Sequence, residues 1–303
     1  MIIGEIEVKD ENKDQRILCS YEEFCRLDDR KISEQYGNEK QLKENIEIEI
    51  DGQKIPFCYT YRFKNGKHTI KYIQKGNTLK NMSYMFNECT LKSLDFSKFN
   101  SENVTDMTRL FHDCESLENI NLSNLNTQNL TNMYGMFSGC KALKSIDLSK
   151  LNTENVKEMG ALFCFCVNLT DINLTGLNIK NVTDLGQMFS NCHSLNKIDL
   201  SSLNTENVQD MRQMFKDCLA LAELDLSNFN TKNVLYMMHM FDSCHSLKKL
   251  NLSKFTTQED TDCDSMFSFC NVLEKKGIIC SDKEILKQID QWEKFKKKHG
   301  LHA

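Results

Sequence analysis

Hydrophobic positions recur through the middle of the chain with a spacing of about 26 residues. Phenylalanine fills one such position in eight successive copies, and a cysteine follows each phenylalanine by three residues. A register held over so many copies predicts a repeat protein, in which each unit buries its apolar face against the next. The phenylalanines are Phe86, Phe111, Phe137, Phe163, Phe189, Phe215, Phe241 and Phe267.

Each unit combines two apolar patterns. Leu143, Ile146 and Leu148 follow the L-x-x-L-x-L pattern of a leucine-rich repeat strand, whose alternate side chains point to opposite faces. Over residues 156–166 the apolar positions fall at i, i+3, i+6, i+7 and i+10, which predicts one face of a short helix. Asn155 with Glu158 predicts the cap of that helix. Equivalent pairs are Asn103/Asp106, Asn181/Asp184 and Asn207/Asp210.

Stacking of these units predicts an α/β leucine-rich-repeat solenoid of about eight repeats over residues 79–273. Strands of neighbouring units would lie about 4.8 Å apart, whereas packed helices need about 8–10 Å. This difference predicts a curved stack, with a parallel β-sheet on the concave side and short helices on the convex side. The helix spacing also exceeds the roughly 7 Å that a disulfide can span, so the recurring cysteines are expected to pack as small apolar side chains.

The N-terminal residues 1–78 lack the repeat and predict a small α+β domain, β-grasp-like or immunoglobulin-like, that covers the first unit. A helix is expected over 21–30 with Ser20 at its cap. Strands are expected at Ile2–Val8, 15–18, Ile46–Ile50, 54–63 and 68–73, the first two as a hairpin.

The C-terminal residues 274–303 predict a helix that seals the last unit. Ser281 and Glu284 form a capping box at its start, and Gly300 follows a lysine-rich last turn. A basic helix that binds a membrane surface or a calmodulin-like partner is the alternative. Sealing is favoured because an open stack would expose its interior. The apolar face of this helix consists of Ile285, Ile289, Trp292 and Phe295.

The repeats resemble a known family. The stretch Leu224-Asp-Leu-Ser-Asn-Phe-Asn-Thr-Lys-Asn-Val234, followed by Met237-Met-His-Met-Phe241-Asp-Ser-Cys244, is similar to the BspA-like leucine-rich repeats of bacterial surface proteins, Mycoplasma and several protists. The resemblance covers about residues 82–273. It implies repeats that mediate binding or adhesion, and it brings no catalytic residues with it.

A column of acids and amides faces outward from the predicted strands. Three interpretations stay open: a hydrogen-bond ladder along the sheet, a row of contacts for a partner, and weak Ca²⁺ sites with oxygen ligands. The column consists of Asp95, Asn121, Asp147, Asn173, Asp199, Asp225 and Asn251.

A second outward column varies from unit to unit, which is where a repeat protein can encode specificity. A solvated, charge-paired face is the alternative. The column consists of Ser93, Asn119, Ser145, Asp171, Lys197, Glu223 and Lys249. Taken together, the two columns predict a partner-binding surface at Asp147, Asn173, Asp199, Asp225, Asp171, Lys197, Glu223 and Lys249.

Composition narrows the function. A net charge of −5 with interspersed basic residues argues against nucleic-acid binding. No apolar run reaches the roughly 18 residues of a membrane span, and the first residues do not form a signal peptide. The fourteen cysteines show no metal-ligand spacing, and no catalytic or phosphate-binding motif occurs. No cofactor, metal or membrane contact is therefore expected.

Possible N-glycosylation sites bear on location. Asn103, Asn129 and Asn181 begin Asn-x-Thr motifs at the predicted helix caps, where a glycan would block capping. Together with many free thiols, this favours the cytoplasm or a host that does not N-glycosylate its proteins. The cell surface is the alternative if a leader sequence precedes this chain.

The sequence thus predicts a monomeric, non-catalytic scaffold that binds a protein partner across the concave sheet. A cell-surface adhesin is the second hypothesis. An enzyme with a site in the N-terminal domain is the third.

Overall fold

The computed structural model describes residues 1–300 as a mixed α/β protein with few helices. The N-terminal strands are β1 (Ile2–Val8), β2 (Gln15–Arg16), β3 (Ile46–Ile50), β4 (Gln53–Ile55), β5 (Thr60–Tyr61) and β6 (Gly66–Gln74). Helices α1 (Tyr21–Leu27) and α2 (Glu39–Asn45) and a short 3-10 helix (Glu34–Tyr36) lie among them. The later strands are β7 (Ser93–Asp95), β8 (Asn119–Asn121), β9 (Ser145–Asp147), β10 (Asp171–Asn173), β11 (Glu223–Asp225), β12 (Lys249–Asn251) and β13 (Ile278–Ile279). A second 3-10 helix (Lys275–Gly277) and helix α3 (Lys283–His299) complete the described chain.

Strand β1 joins the N-terminal region to the repeats. It lies in a six-stranded sheet of order β4-β3-β6-β1-β7-β8. One edge of β1 pairs antiparallel with β6, and the other pairs antiparallel with β7, the first repeat strand. Ile2, Ile6 and Val8 are buried on one face of β1. The N-terminal region therefore supplies a hydrogen-bond partner for the first repeat strand.

The hairpin predicted between Ile2–Val8 and 15–18 is wrong. Strand β2 pairs with β5 instead, because both edges of β1 are already hydrogen-bonded to β6 and β7. The single strand predicted over 54–63 is also wrong. Its two parts, β4 and β5, are separated by a stretch that begins at Pro56, which has no N–H to donate to a sheet.

Helix α1 begins as predicted. The Ser20 side chain accepts the N–H of Glu23 at the helix start, but the helix ends at Leu27, three residues earlier than expected. Helix α2 was not predicted from the sequence.

Strands of neighbouring repeats pair in parallel, as the L-x-x-L-x-L pattern predicts. The pairs are β7–β8, β9–β10 and β11–β12, and β13 extends the last pair. In β9, Ile146 is buried whereas Ser145 and Asp147 are exposed. The predicted alternation of inward and outward side chains is confirmed for this strand.

The helices predicted in the second half of each repeat are wrong. In one repeat, the N–H of Met136 donates to the carbonyl of Met133, and the N–H of Cys140 donates to the carbonyl of Phe137, both at 3.1 Å. These contacts close two successive tight turns. Their third residues, Gly135 and Gly139, have φ values of 59° and 75°, as a type II turn requires and an α-helix does not allow.

Parallel hydrogen bonds also connect these turns from repeat to repeat. The N–H of Phe137 donates to Leu162 at 3.0 Å, and the N–H of Gly139 donates to Cys164 at 2.7 Å. The repeats are thus hydrogen-bonded to each other on two sides, so the spacing difference from which curvature was predicted does not arise. The parallel bridges on the turn side link Asn81, Asp106, Asn132, Glu158, Asp184, Asp210, Tyr236 and Asp262 in order; we call these residues the bridge column.

The asparagines predicted as helix caps tie each repeat to the preceding one. The side-chain amide of Asn155 donates to the carbonyl of Gln128 at 2.8 Å. The capping pairs with Glu158 and its equivalents are wrong, because no helix follows them. The same bond is made by Asn103, Asn129, Asn181, Asn207 and Asn233.

The interior is a continuous stack of phenylalanine rings beside a column of thiols. Neighbouring rings from Phe86 to Phe267 have centroids 5.3–5.9 Å apart. All fourteen cysteines are free thiols. In the recurring column, seven thiols donate to the carbonyl of an earlier phenylalanine at 2.8–3.3 Å: Cys114, Cys140, Cys166, Cys192, Cys218, Cys244 and Cys270. The recurring cysteines are buried as predicted. The argument against disulfides from the spacing of helices does not apply, because the repeats contain turns at these positions.

Helix α3 covers the last repeat. Ile285, Ile289 and Trp292 are buried, and the ring N–H of Trp292 donates to the carbonyl of Cys270 at 3.1 Å. The N-cap is Asp282 rather than the predicted Ser281, since the Asp282 carboxylate accepts the N–H groups of Glu284 and Ile285. Phe295, expected on the buried face, is 44% exposed.

Candidate functional site

The outward face of the repeat strands carries every residue predicted to bind a partner. Asp147 lies in β9, Asp171 and Asn173 in β10, Glu223 and Asp225 in β11, and Lys249 in β12. Lys197 and Asp199 lie in the equivalent segment of the repeat between β10 and β11, which is extended without strand pairing. All are exposed except Asn173, which is partly buried. We call this surface the strand face.

The column of acids and amides on the strand face makes local hydrogen bonds. In each repeat the side-chain oxygen accepts the N–H of the residue two positions later, as Asp147 does from Ser149 at 2.8 Å. Such Asx turns fix the chain as it leaves the strand. The other members of the column make the same bond at 2.8–3.1 Å.

These bonds also stabilise the charged form of the acids. The N–H and hydroxyl groups of Ser149 lower the pKa of Asp147. The hydroxyl and N–H groups of Ser201 lower the pKa of Asp199, and Ser227 has the same effect on Asp225. One oxygen of each residue is thus occupied by its own turn. Between repeats, the amide of Asn121 donates to the Asp95 carboxylate at 3.0 Å.

The variable column beside it is less constrained by the fold. Lys249 and Glu223 form an exposed ion pair of 2.6 Å between adjacent repeats. Asp171 and Lys197 make no ion pair within residues 1–300. An exposed pair of this kind contributes little to stability, roughly 0–1 kcal/mol. The variable column is therefore free to change without loss of the fold.

A shallow groove of about 630 Å³ runs over the first part of the strand face. It is lined by the outward residues of β7, β8, β9 and β10, including Asp147, Asp171 and Asn173. The remaining residues predicted to bind a partner, from Lys197 to Lys249, do not line this groove. In the described part of the chain, no group of three or more His, Cys, Asp or Glu side chains is arranged to hold a metal ion.

The comparison with family models bears on the repeats. The model described as "Mycoplasma protein of unknown function, DUF285" matches residues 80–194 and 165–279. The two matches overlap and together span most of the chain, including every repeat strand from β7 to β12.

The chain belongs to the DUF285 family.

This membership confirms the resemblance inferred from the repeats, which named Mycoplasma among its sources. No curated protein matches the chain. One solved structure that resembles it is a leucine-rich repeat protein from Bacteroides ovatus, 19% identical, with a TM-score of 0.23. The alignment covers 64% of this chain and 66% of that one, just under two thirds of its length.

The bridge column of this DUF285 chain contains a half-buried carboxylate. Burial raises the pKa of Asp184 to about 6, although the N–H of Gly186 donates to it at 2.6 Å. The neighbouring carboxylates Asp210 and Glu158 raise the pKa further. Asp184 sits where Asn81 and Asn132 stand in earlier repeats, so this position accommodates an amide.

Asp184→Asn should stabilise the protein at pH 7 by about 1 kcal/mol, allowing for solvent screening of a partly exposed group. When folding raises the pKa of a carboxyl group, the folded protein loses stability as the pH rises. The loss occurs between the pKa in the unfolded chain, about 3.9, and the pKa in the folded protein. The gain in the free energy of unfolding of the variant over the parent should therefore be complete above about pH 6 and absent below about pH 4. Thermal unfolding of both proteins across this range measures it.

Asp199→Asn provides a control of opposite sign. The pKa of Asp199 is lowered on folding by its bonds to Ser201, so its charged form stabilises the native state above the ordinary pKa. This variant should be no more stable than the parent at pH 7. A gain for Asp184→Asn that persists at pH 4 would contradict the explanation by charge burial.

Sequence reasoning missed a second concavity in this DUF285 chain. It lies between α1 and the turn side of the first repeats, and its lining includes Tyr21, Tyr36, Tyr84 and Tyr134. The recurrence of aromatic residues in the helix-like pattern could have drawn attention to Tyr84 and Tyr134. The contact of Tyr84 with Tyr21 could not be predicted from the repeats.

Proposed function

We propose that this protein is a leucine-rich-repeat solenoid that acts as a non-catalytic scaffold and binds a protein partner through its strand face. We further propose three parts of the chain: an N-terminal domain (residues 1–78), the repeats (79–273) and a C-terminal capping helix (274–303). In general terms, DUF285 membership and its leucine-rich character suggest a protein-interaction or surface module. Repeat families of this kind are generally non-catalytic.

The observation that carries the proposal is the contrast between the two outward columns. One column holds the turns of the fold through Asx bonds, whereas the last four members of the variable column are exposed and alternate between acid and base. Residues that change from repeat to repeat without a role in folding are suited to partner specificity. The proposed contacts are Asp171, Lys197, Glu223 and Lys249, with Asp147, Asn173, Asp199 and Asp225 beside them.

Replacing Asp171, Lys197, Glu223 and Lys249 together with serine should abolish capture of the partner in a pull-down from native lysate, with little change in stability. The fold should persist because these side chains are exposed, and exposed substitutions usually change stability by about 0.5 kcal/mol or less. Mass spectrometry of the captured proteins and thermal unfolding are the measurements.

A matched control lies in the same part of the stack. Glu154 pairs with Lys180 at 2.6 Å, and Glu206 pairs with Lys232 at 2.8 Å, all at exposed positions away from the strands. The four changes to serine there remove the same charges but should leave capture intact. Equal loss in both variants would mean a general charge effect, and unchanged capture by the first variant would place the interface elsewhere.

We propose a cytoplasmic location and a monomer, with a cell-surface adhesin as the second candidate. Supporting the cytoplasm, the side-chain amides of Asn103, Asn129 and Asn181 each bond to the preceding repeat, and a glycan there would break that contact. The resemblance to surface proteins supports the alternative. Within residues 1–300, no helix has the length and apolar character that a membrane crossing needs. Protease treatment of intact cells distinguishes the two locations.

A further inference from the structure

An aromatic cleft of about 480 Å³ lies where α1 and the segment after it meet the turn side of the first four repeats. Tyr21, Phe24 and Tyr36 form one side, and Tyr84 and Tyr134 form the other. Tyr84 comes from the first repeat and Tyr134 from the third, so the cleft exists only when the repeats are stacked and the N-terminal region is docked. Concave sites with aromatic walls and a few polar groups are typical of binding pockets.

The rings of the cleft already hold arginine side chains. The Arg109 guanidinium lies over Tyr84 and Tyr134, 5.9 Å from each ring centroid. Arg30 lies over Phe24 at 5.2 Å. Guanidinium groups stack favourably on aromatic faces because of the negative ring quadrupole. Tyr36 is 51% exposed, and its ring meets Tyr21 edge to face at 5.8 Å, which leaves aromatic surface for a ligand.

Carboxylates line the repeat side of this cleft. Asp106 and Glu158 belong to the bridge column, with Asn132 between them, and all three contribute to the wall. Neither acid forms an ion pair within residues 1–300. The next member, Asp184, continues the acidic strip beyond the cleft.

Basic groups also lie at the cleft and offset part of this negative charge. Arg30 is paired with Asp28 at 2.9 Å, which compensates its charge. Lys31 is exposed. The wall formed by Asp106 and Glu158 favours a cation beside it, whereas Lys31 and the Arg109 guanidinium over Tyr84 and Tyr134 oppose it.

A buried hydroxyl adds a polar group. Ser83 lines the cleft and is only 3% exposed, and its Oγ has no hydrogen-bond partner among the described side chains and backbone. Buried polar groups normally have a partner, because leaving one unpaired costs about 1–3 kcal/mol. A ligand that reaches the base of the cleft could supply it.

We propose that this cleft binds a short basic segment of a partner protein, with an arginine side chain against Tyr21 and Tyr36 and its charge facing Asp106 and Glu158. Arginine fits better than a neutral side chain because its planar cation can stack on a ring and pair with a carboxylate at the same time. Tyrosine and arginine are also the residues most enriched in the energetic centres of interfaces. This site is separate from the strand face and does not depend on it.

The test uses the full chain and a fluorescein-labelled octapeptide that contains four arginines and two leucines. Fluorescence anisotropy compares it with a peptide of the same sequence in which citrulline, a neutral side chain of nearly the same shape, replaces arginine. The arginine peptide should bind at least tenfold more tightly than the citrulline peptide, and its affinity should fall as salt is added. Lack of saturable binding up to about 1 mM, or equal binding of both peptides, would overturn the proposal.

Variants of the chain locate the site. Asp106→Asn combined with Glu158→Gln should weaken binding roughly tenfold, and Tyr36→Ala should weaken it as well. The amide at position 106 keeps the acceptor for the N–H of Thr108, and Asn81 and Asn132 already occupy this column, so the fold should be retained. Lys31→Glu should strengthen binding, because it removes an opposing charge.

A matched control is Glu154→Gln combined with Glu206→Gln, which removes two exposed carboxylates of the repeats that do not line the cleft. It should bind the arginine peptide as the parent does. If the control and the cleft variant lose affinity equally, the peptide responds only to overall charge and the site is wrong. Because the strand-face substitutions leave the cleft intact, their result does not affect this one.

Discussion

Replacing Phe163 with alanine should lower the free energy of unfolding by about 3–5 kcal/mol. The Phe163 ring is fully buried and stacks between Phe137 and Phe189, with centroid distances of 5.6 and 5.9 Å. Truncation removes buried apolar surface and leaves a cavity that the hydrogen-bonded repeats on either side cannot close. Urea denaturation followed by circular dichroism measures the loss.

Phe165→Ala is the matched control. Phe165 stands two residues away in the same turn but is 50% exposed. Its replacement should change stability by about 0.5 kcal/mol or less, because little buried surface is lost. A loss below about 1 kcal/mol for Phe163→Ala, or equal losses for the two variants, would show that the phenylalanine stack is not the core.

Trp292→Ala should have the second largest effect, a loss of about 3 kcal/mol, centred on the last repeat. The indole is 7% exposed and its N–H donates to the Cys270 carbonyl at 3.1 Å. Lys296, one turn further along α3, donates to the carbonyls of Asn271 and Leu273. Without the indole, α3 loses a large apolar contact and a hydrogen bond to the last repeat, so that repeat should open before the others. Hydrogen exchange of residues 263–279 and thermal unfolding measure the change.

Phe295→Ala serves as the control for this helix. Phe295 stacks on Trp292 with a centroid distance of 5.5 Å but is 44% exposed. Its loss should affect stability by well under half as much as the loss of Trp292. Unchanged exchange in the last repeat of Trp292→Ala would mean that α3 does not act as a seal.

The repeat length and the buried positions could be predicted from the sequence because they depend on local pattern alone. Ile146 points inward and Asp147 outward, as strand alternation requires, and Phe163 and Cys166 are buried. The helices were wrong for a physical reason. Two successive four-residue turns place Met133, Met136, Phe137 and Cys140 on one side at i, i+3, i+4 and i+7, the spacing that also marks a helix face.

Glycine at 135 and 139 could have warned of left-handed turns, but other repeats place Arg109, Asp113 and Phe165 in the same conformation. A side chain in that conformation costs energy locally and is held there by hydrogen bonds to the next repeat. The conformational preferences of the residues in one repeat therefore could not show whether that repeat forms turns or a helix.

The sequence by itself determined the period of the repeat, the position of the repeat strands, the interior of phenylalanine and cysteine, and the need for a cover at each end. Only the tertiary structure decided that tight turns replace helices, that β1 pairs with both β6 and β7, and that α1 meets the repeats to form an aromatic cleft. The first set depends on which faces are apolar, and the spacing of apolar residues along the chain shows this directly. The second depends on hydrogen bonds and contacts between residues far apart in the chain, such as Tyr21 with Tyr84, and these become favourable only once the repeats have stacked.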